Sequence, residues 1–349
     1  MAKESGFGYT SLVRDCYRSG GYVFARRAGS AGEGKETCRV ARLASNENPR
    51  PPSPRAVEMG CRALREGNRY PDERTGDLVE ALREYHGPYH FVTGVGMDGV
   101  IETVIRTLVC PGERVAVSTP TFSFYGLAAI AQGAEVVNIP RNSDFSVDTT
   151  SFIRGAKDAK LSFLCTPNNP TGTPMGLDVI EAVYEASRGV VIVDEAYQEF
   201  APRDSRSALT LLPGRERLVV SRTMSKAFAF AGARVGYLAA DPALIDALRL
   251  VRLPYHLSAL TQAAAIAALR HAPAMLAMVD DIVAQRDRIS ATLDALGYEP
   301  FESWTNFVLF AGVDDPAATW QGLYDQGVLV RDVGLPRSLR VTAGTEDES

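Results

Sequence analysis

The chain has 349 residues, of which 46% are hydrophobic and 23% charged, with 37 Lys plus Arg against 42 Asp plus Glu. That is enough sequence for about two domains with an apolar core, and a net charge of −5 argues against a nucleic-acid binder and gives no reason to expect an anionic membrane as partner. No apolar run approaches the ~20 residues that span a bilayer, the N-terminus lacks a secretory pattern, and five cysteines without a CxxC pair fit neither a disulfide framework nor a zinc site, so a cytoplasmic protein with reduced thiols is expected.

In chain order, residues 1–60 are loop-rich (Gly29 to Gly34, Pro49 to Pro54) and are expected to pack beside a small C-terminal domain. Residues 61–250 read as a large domain. Strands are expected at Glu113 to Ser118, Ala134 to Ile139, Leu161 to Cys165, Val190 to Val193, Leu218 to Ser221 and Val235 to Ala239. Between them lie stretches with three-to-four spacing, such as Val100, Val104, Ile105 and Leu108. Strands alternating with helices predict an α/β fold with a mostly parallel central sheet flanked by helices, and the unbroken apolar run Val190 to Val193 predicts burial on both faces. Residues 251–349 read as a smaller α/β domain: one long helix over Ser258 to Leu293, then strands at Asn306 to Phe310, Val328 to Val330 and Leu339 to Thr342. Thr345 and Glu348 have the spacing of a helix capping box, so this small domain is expected to lack a final helix.

Three segments carry the chemistry: Thr166-Pro-Asn-Asn-Pro-Thr-Gly172, Asp194-Glu-Ala-Tyr197, and Ser221-Arg-Thr-Met-Ser-Lys226 with Arg234 eight residues on. Each alone has an ordinary explanation, as a turn, a loop anchor and a solvated charge. All three follow expected strands, at the carboxyl edge where open α/β sheets bind ligands. Together and in this order they resemble the fold-type I pyridoxal-phosphate (PLP) enzymes, specifically the class I/II aminotransferases, over nearly the whole chain from Tyr22 to Thr345.

The resemblance implies a role for each residue. Lys226 would bind PLP covalently and serve as general base, and Asp194 would keep the ring nitrogen protonated. Asn169 and Tyr197 would donate to the phenolic oxygen. Phe122 would stack on the ring, where the family more often has a tyrosine. The turn Gly94-Val-Gly-Met-Asp98 would offer the N–H groups of Met97 and Asp98 to the phosphate, with Thr223, Ser225 and Arg234 completing the cup. Tyr70 would reach the phosphate of a neighbouring subunit, implying a homodimer with a shared active site.

Within the family the likeness is nearest to histidinol-phosphate aminotransferases, on Leu43 to Pro49 (LASNENP), Tyr22 to Arg27, Pro254 to Ser258, Val328 to Asp332 and Leu339 to Thr345. This implies substrate contacts from Tyr22, Asn46, Arg331 and Arg340, the two arginines serving the anions of the amino donor and of a 2-oxo acid in turn. Other activities on the same scaffold stay open: an aromatic or broad-range aminotransferase, or a threonine-phosphate decarboxylase. A non-catalytic PLP-binding regulator is not expected, since the likeness begins as early as Tyr22 and the net charge is acidic. A nicotinamide enzyme would use Gly94 to Gly99 (GVGMDG), but no acid stands at the end of the next strand, where Ser118-Thr-Pro120 lies.

Overall fold

A computed structural model describes residue 14 and residues 40–349. In chain order its elements are β1 (Ala41–Arg42), α1 (Pro54–Leu64), α2 (Gly76–His86), β2 (Phe91–Val95), α3 (Gly96–Leu108), β3 (Arg114–Thr119), α4 (Phe124–Gln132), β4 (Glu135–Pro140), α5 (Thr149–Ala156), β5 (Leu161–Cys165) and α6 (Leu177–Ala186). They continue with β6 (Val190–Asp194), β7 (Leu218–Thr223), β8 (Val235–Ala239), α7 (Pro242–Val251), α8 (Ala259–Arg270), α9 (Ala272–Ala295), β9 (Glu299–Pro300), β10 (Phe307–Ala311), α10 (Pro316–Asp325), β11 (Val328–Leu329) and β12 (Leu339–Thr342).

Seven strands form one sheet in the order β2-β8-β7-β6-β5-β3-β4. Strand β8 alone runs against its neighbours; the pairs from β7 through β4 are parallel. Every residue of β5, β7 and β8 is buried, as expected for strands covered by helices on both faces. The six expected large-domain strands all form. Strand β2 was not anticipated, because Thr93 and Gly94 interrupt its apolar run. Gly94 is required there: a Cβ would meet Val100 Cγ2 at 2.8 Å as α3 folds back on the strand.

Two small sheets complete the strands among the described residues. Strands β12-β10-β9 form an antiparallel sheet, and β1 pairs in parallel with β11, so that residues 41–42 lie against 328–329. Helix α1 runs through residue 60, where the first domain boundary was expected, and packs on α8.

The expectation of one long helix over Ser258 to Leu293 needs correction. Helices α8 and α9 meet at a bend of 79° beside His271. Pro273 stands in the first turn of α9, where its missing N–H is not needed, whereas inside a continuous helix it would remove a bond and clash with the preceding turn. Among the described residues no single helix is long and apolar enough to cross a membrane. At the end of the chain, the Thr345 N–H and hydroxyl both donate to Glu348 Oε2 at 3.0 Å, so the capping pair closes a turn.

Candidate active site

Because β5, β6 and β7 are parallel, their carboxyl ends open at one edge of the sheet. Asp194 is the last residue of β6 and Thr223 the last of β7; Asn169 and Lys226 follow β5 and β7 by a few residues. This edge forms the floor of a cleft of about 1960 Å³. Of the fifteen residues expected at the site, all except Tyr70 and Tyr22 line it. Tyr22 lies outside the described residues. Tyr70 is 82% exposed and stacks on Tyr255, with ring centroids 4.5 Å apart.

Asp194 is almost fully buried. Its Oδ1 accepts from the Ala196 N–H at 3.0 Å and its Oδ2 from the Tyr125 hydroxyl at 2.5 Å. Burial raises its pKa from the usual 3.8 to about 6; the two hydrogen bonds oppose that rise without cancelling it. A carboxylate held this way is stabilised by a cation placed beside it. Tyr125 was not anticipated. It stands three residues after Phe122, packs edge-on to it and lies flat against Phe163. Its place three residues after Phe122, which stands just before the N-cap of α4, is the signal in the sequence that points to it.

Lys226 Nζ lies 3.4 Å from the Ser45 carbonyl oxygen and 5.8 Å from the centre of the Tyr197 ring. Its surroundings lower its pKa from 10.5 to about 8, first through loss of water and then through the positive charge of Arg340, with Glu47 opposing. Behind the strand ends lies a buried ion triad. Arg222 bridges Glu195 at 2.8 Å and Glu199 at 2.9 Å. These three residues neighbour Asp194, Tyr197 and Thr223 in sequence, so the triad ties together the segments that carry the site.

At the other end of the cleft, α3 begins at Gly96, and among the described residues no side chain caps its first N–H groups, a partial positive charge suited to an anion. The hydroxyls of Thr223 and Ser225 are 2.9 Å apart, and Arg234 Nη2 pairs with Asp98 Oδ2 at 2.9 Å. The packing is tight: a Cβ on Gly96 would meet Arg234 Nη2 at 2.4 Å. Arg234 itself has φ 58°, a left-handed conformation that a non-glycine residue adopts at a cost of roughly 1 kcal/mol or more and that concentrates at functional sites.

The opposite wall comes from distant parts of the chain. Arg331 and Arg340 face each other through paired backbone bonds of 2.9 and 2.8 Å. Arg340 also donates to Asn169 Oδ1 at 2.5 Å and to the Ala44 carbonyl at 2.8 Å. Asn46, with φ 54°, is buried and donates from Nδ2 to Tyr197 Oη at 2.9 Å.

The donor set fits pyridoxal phosphate, the cofactor that the resemblance implies. A primary amine, a buried carboxylate in need of a cation, a phenol and an amide lie in one cleft, together with an anion cup built from a helix N-terminus, two hydroxyls and a guanidinium.

Residues 39–349 match the family model "Aminotransferase class I and II". A histidinol-phosphate aminotransferase of Paenarthrobacter aurescens is 53% identical over 291 residues, covering 81% of this chain and 78% of the relative. Another, from Methanoculleus marisnigri, is 52% identical, covering 85% and 83%. Among solved structures, histidinol-phosphate aminotransferase from Sinorhizobium meliloti in complex with pyridoxal-5'-phosphate superposes with a TM-score of 0.83 at 28% identity, covering 88% of each chain. Sheet order, site and sequence agree: the chain belongs to the class I and II aminotransferases and, within them, groups with the histidinol-phosphate aminotransferases.

Proposed function

We propose that this chain is a PLP-dependent histidinol-phosphate transaminase, moving the amino group of L-histidinol phosphate to 2-oxoglutarate to give imidazole acetol phosphate and L-glutamate. The observation that carries the chemistry is the meeting of Lys226, Asp194, Tyr197 and Arg234 in one cleft. The identity to the histidinol-phosphate enzymes supports the choice of substrate. When bound, pyridoxal phosphate supplies an aldehyde that joins amines and a protonated ring that takes up an electron pair.

In this reading Lys226 holds the cofactor, and its freed Nζ takes the proton from the substrate's α-carbon. A pKa near 8 leaves part of the amine neutral at working pH. Asp194 keeps the proton on the ring nitrogen, because a carboxylate buried without a cation costs far more than one paired with it. Asn169 and Tyr197 orient donors toward the phenolic oxygen, and Phe122 covers a ring face. The N–H groups of Met97 and Asp98 hold the phosphate together with Thr223, Ser225 and Arg234. Tyr22, Asn46, Arg331 and Arg340 receive the substrates, whose anions suit a pair of guanidinium groups.

A half-reaction screen tests the substrate. Loaded protein is mixed separately with histidinol phosphate, phenylalanine and threonine phosphate, while the cofactor's visible absorption and CO2 are followed. Histidinol phosphate is expected to discharge the band fastest, without CO2. Discharge by phenylalanine but not histidinol phosphate would assign an aromatic aminotransferase, and CO2 from threonine phosphate a decarboxylase.

The same reading makes the protein a homodimer in which Tyr70 serves the partner's phosphate cup. Tyr70 and Tyr255 stack at a surface where Leu253 is 62% and nearby Leu250 87% exposed, an apolar group that a partner would cover. Sedimentation is expected to give twice the chain mass of 37.7 kDa, and Leu253→Asp to yield monomers with little activity. A fully active monomer would refute the shared site. The free thiols of Cys61, Cys110 and Cys165 suit the cytoplasm, where we place the enzyme.

A further inference from the structure

We propose that Asn46 and Thr342 form a positioning pair that turns the hydroxyl proton of Tyr197 away from the protein's own hydrogen bonds and into the cleft. The inference rests on the pyridoxal-phosphate reading above, in which that proton meets the cofactor's phenolic oxygen.

The argument is a count of protons. Asn46 Nδ2 is 2.9 Å from Tyr197 Oη. An amide nitrogen only donates, so the phenol oxygen accepts here and its single proton is left for another acceptor. The orientation of the Asn46 amide therefore decides where the tyrosine proton goes. Turned over, the amide would present Oδ1 to Tyr197 and draw the proton onto itself.

Thr342 sets that orientation. Its Oγ1 accepts from the Asn46 backbone N–H at 3.1 Å and donates to Asn46 Oδ1 at 3.0 Å. In this arrangement each of these donors has an acceptor. With the amide reversed, Nδ2 would point at Thr342 Oγ1, and the threonine hydroxyl, already accepting from the backbone, would lose the acceptor for its own proton. Asn46, Thr342 and Tyr197 are 2%, 1% and 3% exposed, so water cannot readily take over the lost bond.

The backbone is fixed as well. Asn46 has φ 54°, a conformation asparagine tolerates better than most residues, and its carbonyl accepts from Asn306 Nδ2 at 3.2 Å. The Tyr197 ring is held edge-on by Phe307 at 5.3 Å. The pair thus clamps Tyr197 from strand β12, 145 positions away in the chain (342 − 197), while Tyr197 itself lines the cleft. Asn46 acts on the chemistry through Tyr197, in addition to any contact it makes with substrate.

The test uses the protein loaded with pyridoxal phosphate and reads the pH midpoint of the cofactor's visible band. A hydroxyl donating to the phenolic oxygen stabilises its charged form, so losing the donor raises the midpoint. Asn46→Asp replaces the donor by a group that only accepts and draws the Tyr197 proton away. It also adds a charge, and Tyr197→Phe separates the two effects. Asn46→Asp is expected to raise the midpoint in the Tyr197 protein by about one pH unit more than in the Tyr197→Phe protein. Thr342→Val, which frees the amide to turn, is expected to shift the midpoint in the same direction, and Thr342→Ser to restore it. An equal shift with and without the Tyr197 phenol would overturn the proposal while leaving the cofactor reading intact. Unaltered protein that forms no visible band with pyridoxal phosphate would overturn both.

Discussion

Replacing Lys226 by Ala is expected to lower amino transfer by at least about 10⁴-fold, since a positioned base alone contributes roughly 10²–10⁴ and the amine that holds the cofactor goes with it. Borohydride treatment of the loaded wild-type protein followed by proteolysis should leave the cofactor mass on the peptide containing Lys226. The variant should carry none. A borohydride-fixed adduct elsewhere in Lys226→Ala would assign the covalent role to another residue. The pH dependence follows from the same side chain. The neutral amine attacks, and its pKa is lowered from 10.5 to about 8. Covalent capture of pyridoxal phosphate by the ligand-free protein should therefore rise through about pH 8, where a solvated lysine would need more than two further pH units.

Asp194→Asn should have opposite effects with and without cofactor. In the ligand-free protein the folded-state pKa of Asp194, about 6, lies above the ordinary 3.8 of a solvated aspartate. Between these values the folded state binds the extra proton, so stability falls as pH rises from about 4 to 6, and the full deficit is present above 6. A difference of this size corresponds to about 2–3 kcal/mol. Asn carries no such charge and can still accept from the Ala196 N–H. Ligand-free Asp194→Asn should thus lack this pH-dependent fall and unfold at a higher denaturant concentration than wild type at pH 8. With pyridoxal phosphate the order should reverse. The wild-type carboxylate gains its cation and the protein is stabilised, whereas the variant gains far less and loses on the order of 10³-fold in half-reaction rate. The same pH profile in both ligand-free proteins would show that Asp194 does not carry the raised pKa, and equal stabilisation of both by the cofactor would show that it is not the partner of the ring nitrogen.

Much of the fold was readable because its central strands β5, β7 and β8 are short runs buried along their whole length, and such runs stand out against amphipathic helices. The exceptions have local causes. Strand β2 contains a glycine that close packing with α3 demands, and this breaks the apolar pattern. The helix expected to run from Ser258 divides at His271, two residues before Pro273, whose effect on a boundary depends on whether the preceding residues remain helical.

The sequence by itself determined the chemical inventory: Lys226, Asp194, Asn169, Tyr197, Thr223, Ser225 and Arg234 stand at or just past strand ends, where a parallel sheet must bring them to one edge. That step needs only local spacing and the topology of a parallel sheet. Which side chains answer one another was decided by the tertiary structure. Tyr125 meets Asp194 across 69 positions, Asn46 meets Tyr197 across 151, Arg340 meets Asn169 across 171, and Thr342 meets Asn46 across 296. None of these bonds leaves a periodic trace, because each depends on the relative placement of elements that no local pattern encodes. The orientation of protons around the site therefore follows from packing, while the identity of the groups that hold them is already written along the chain.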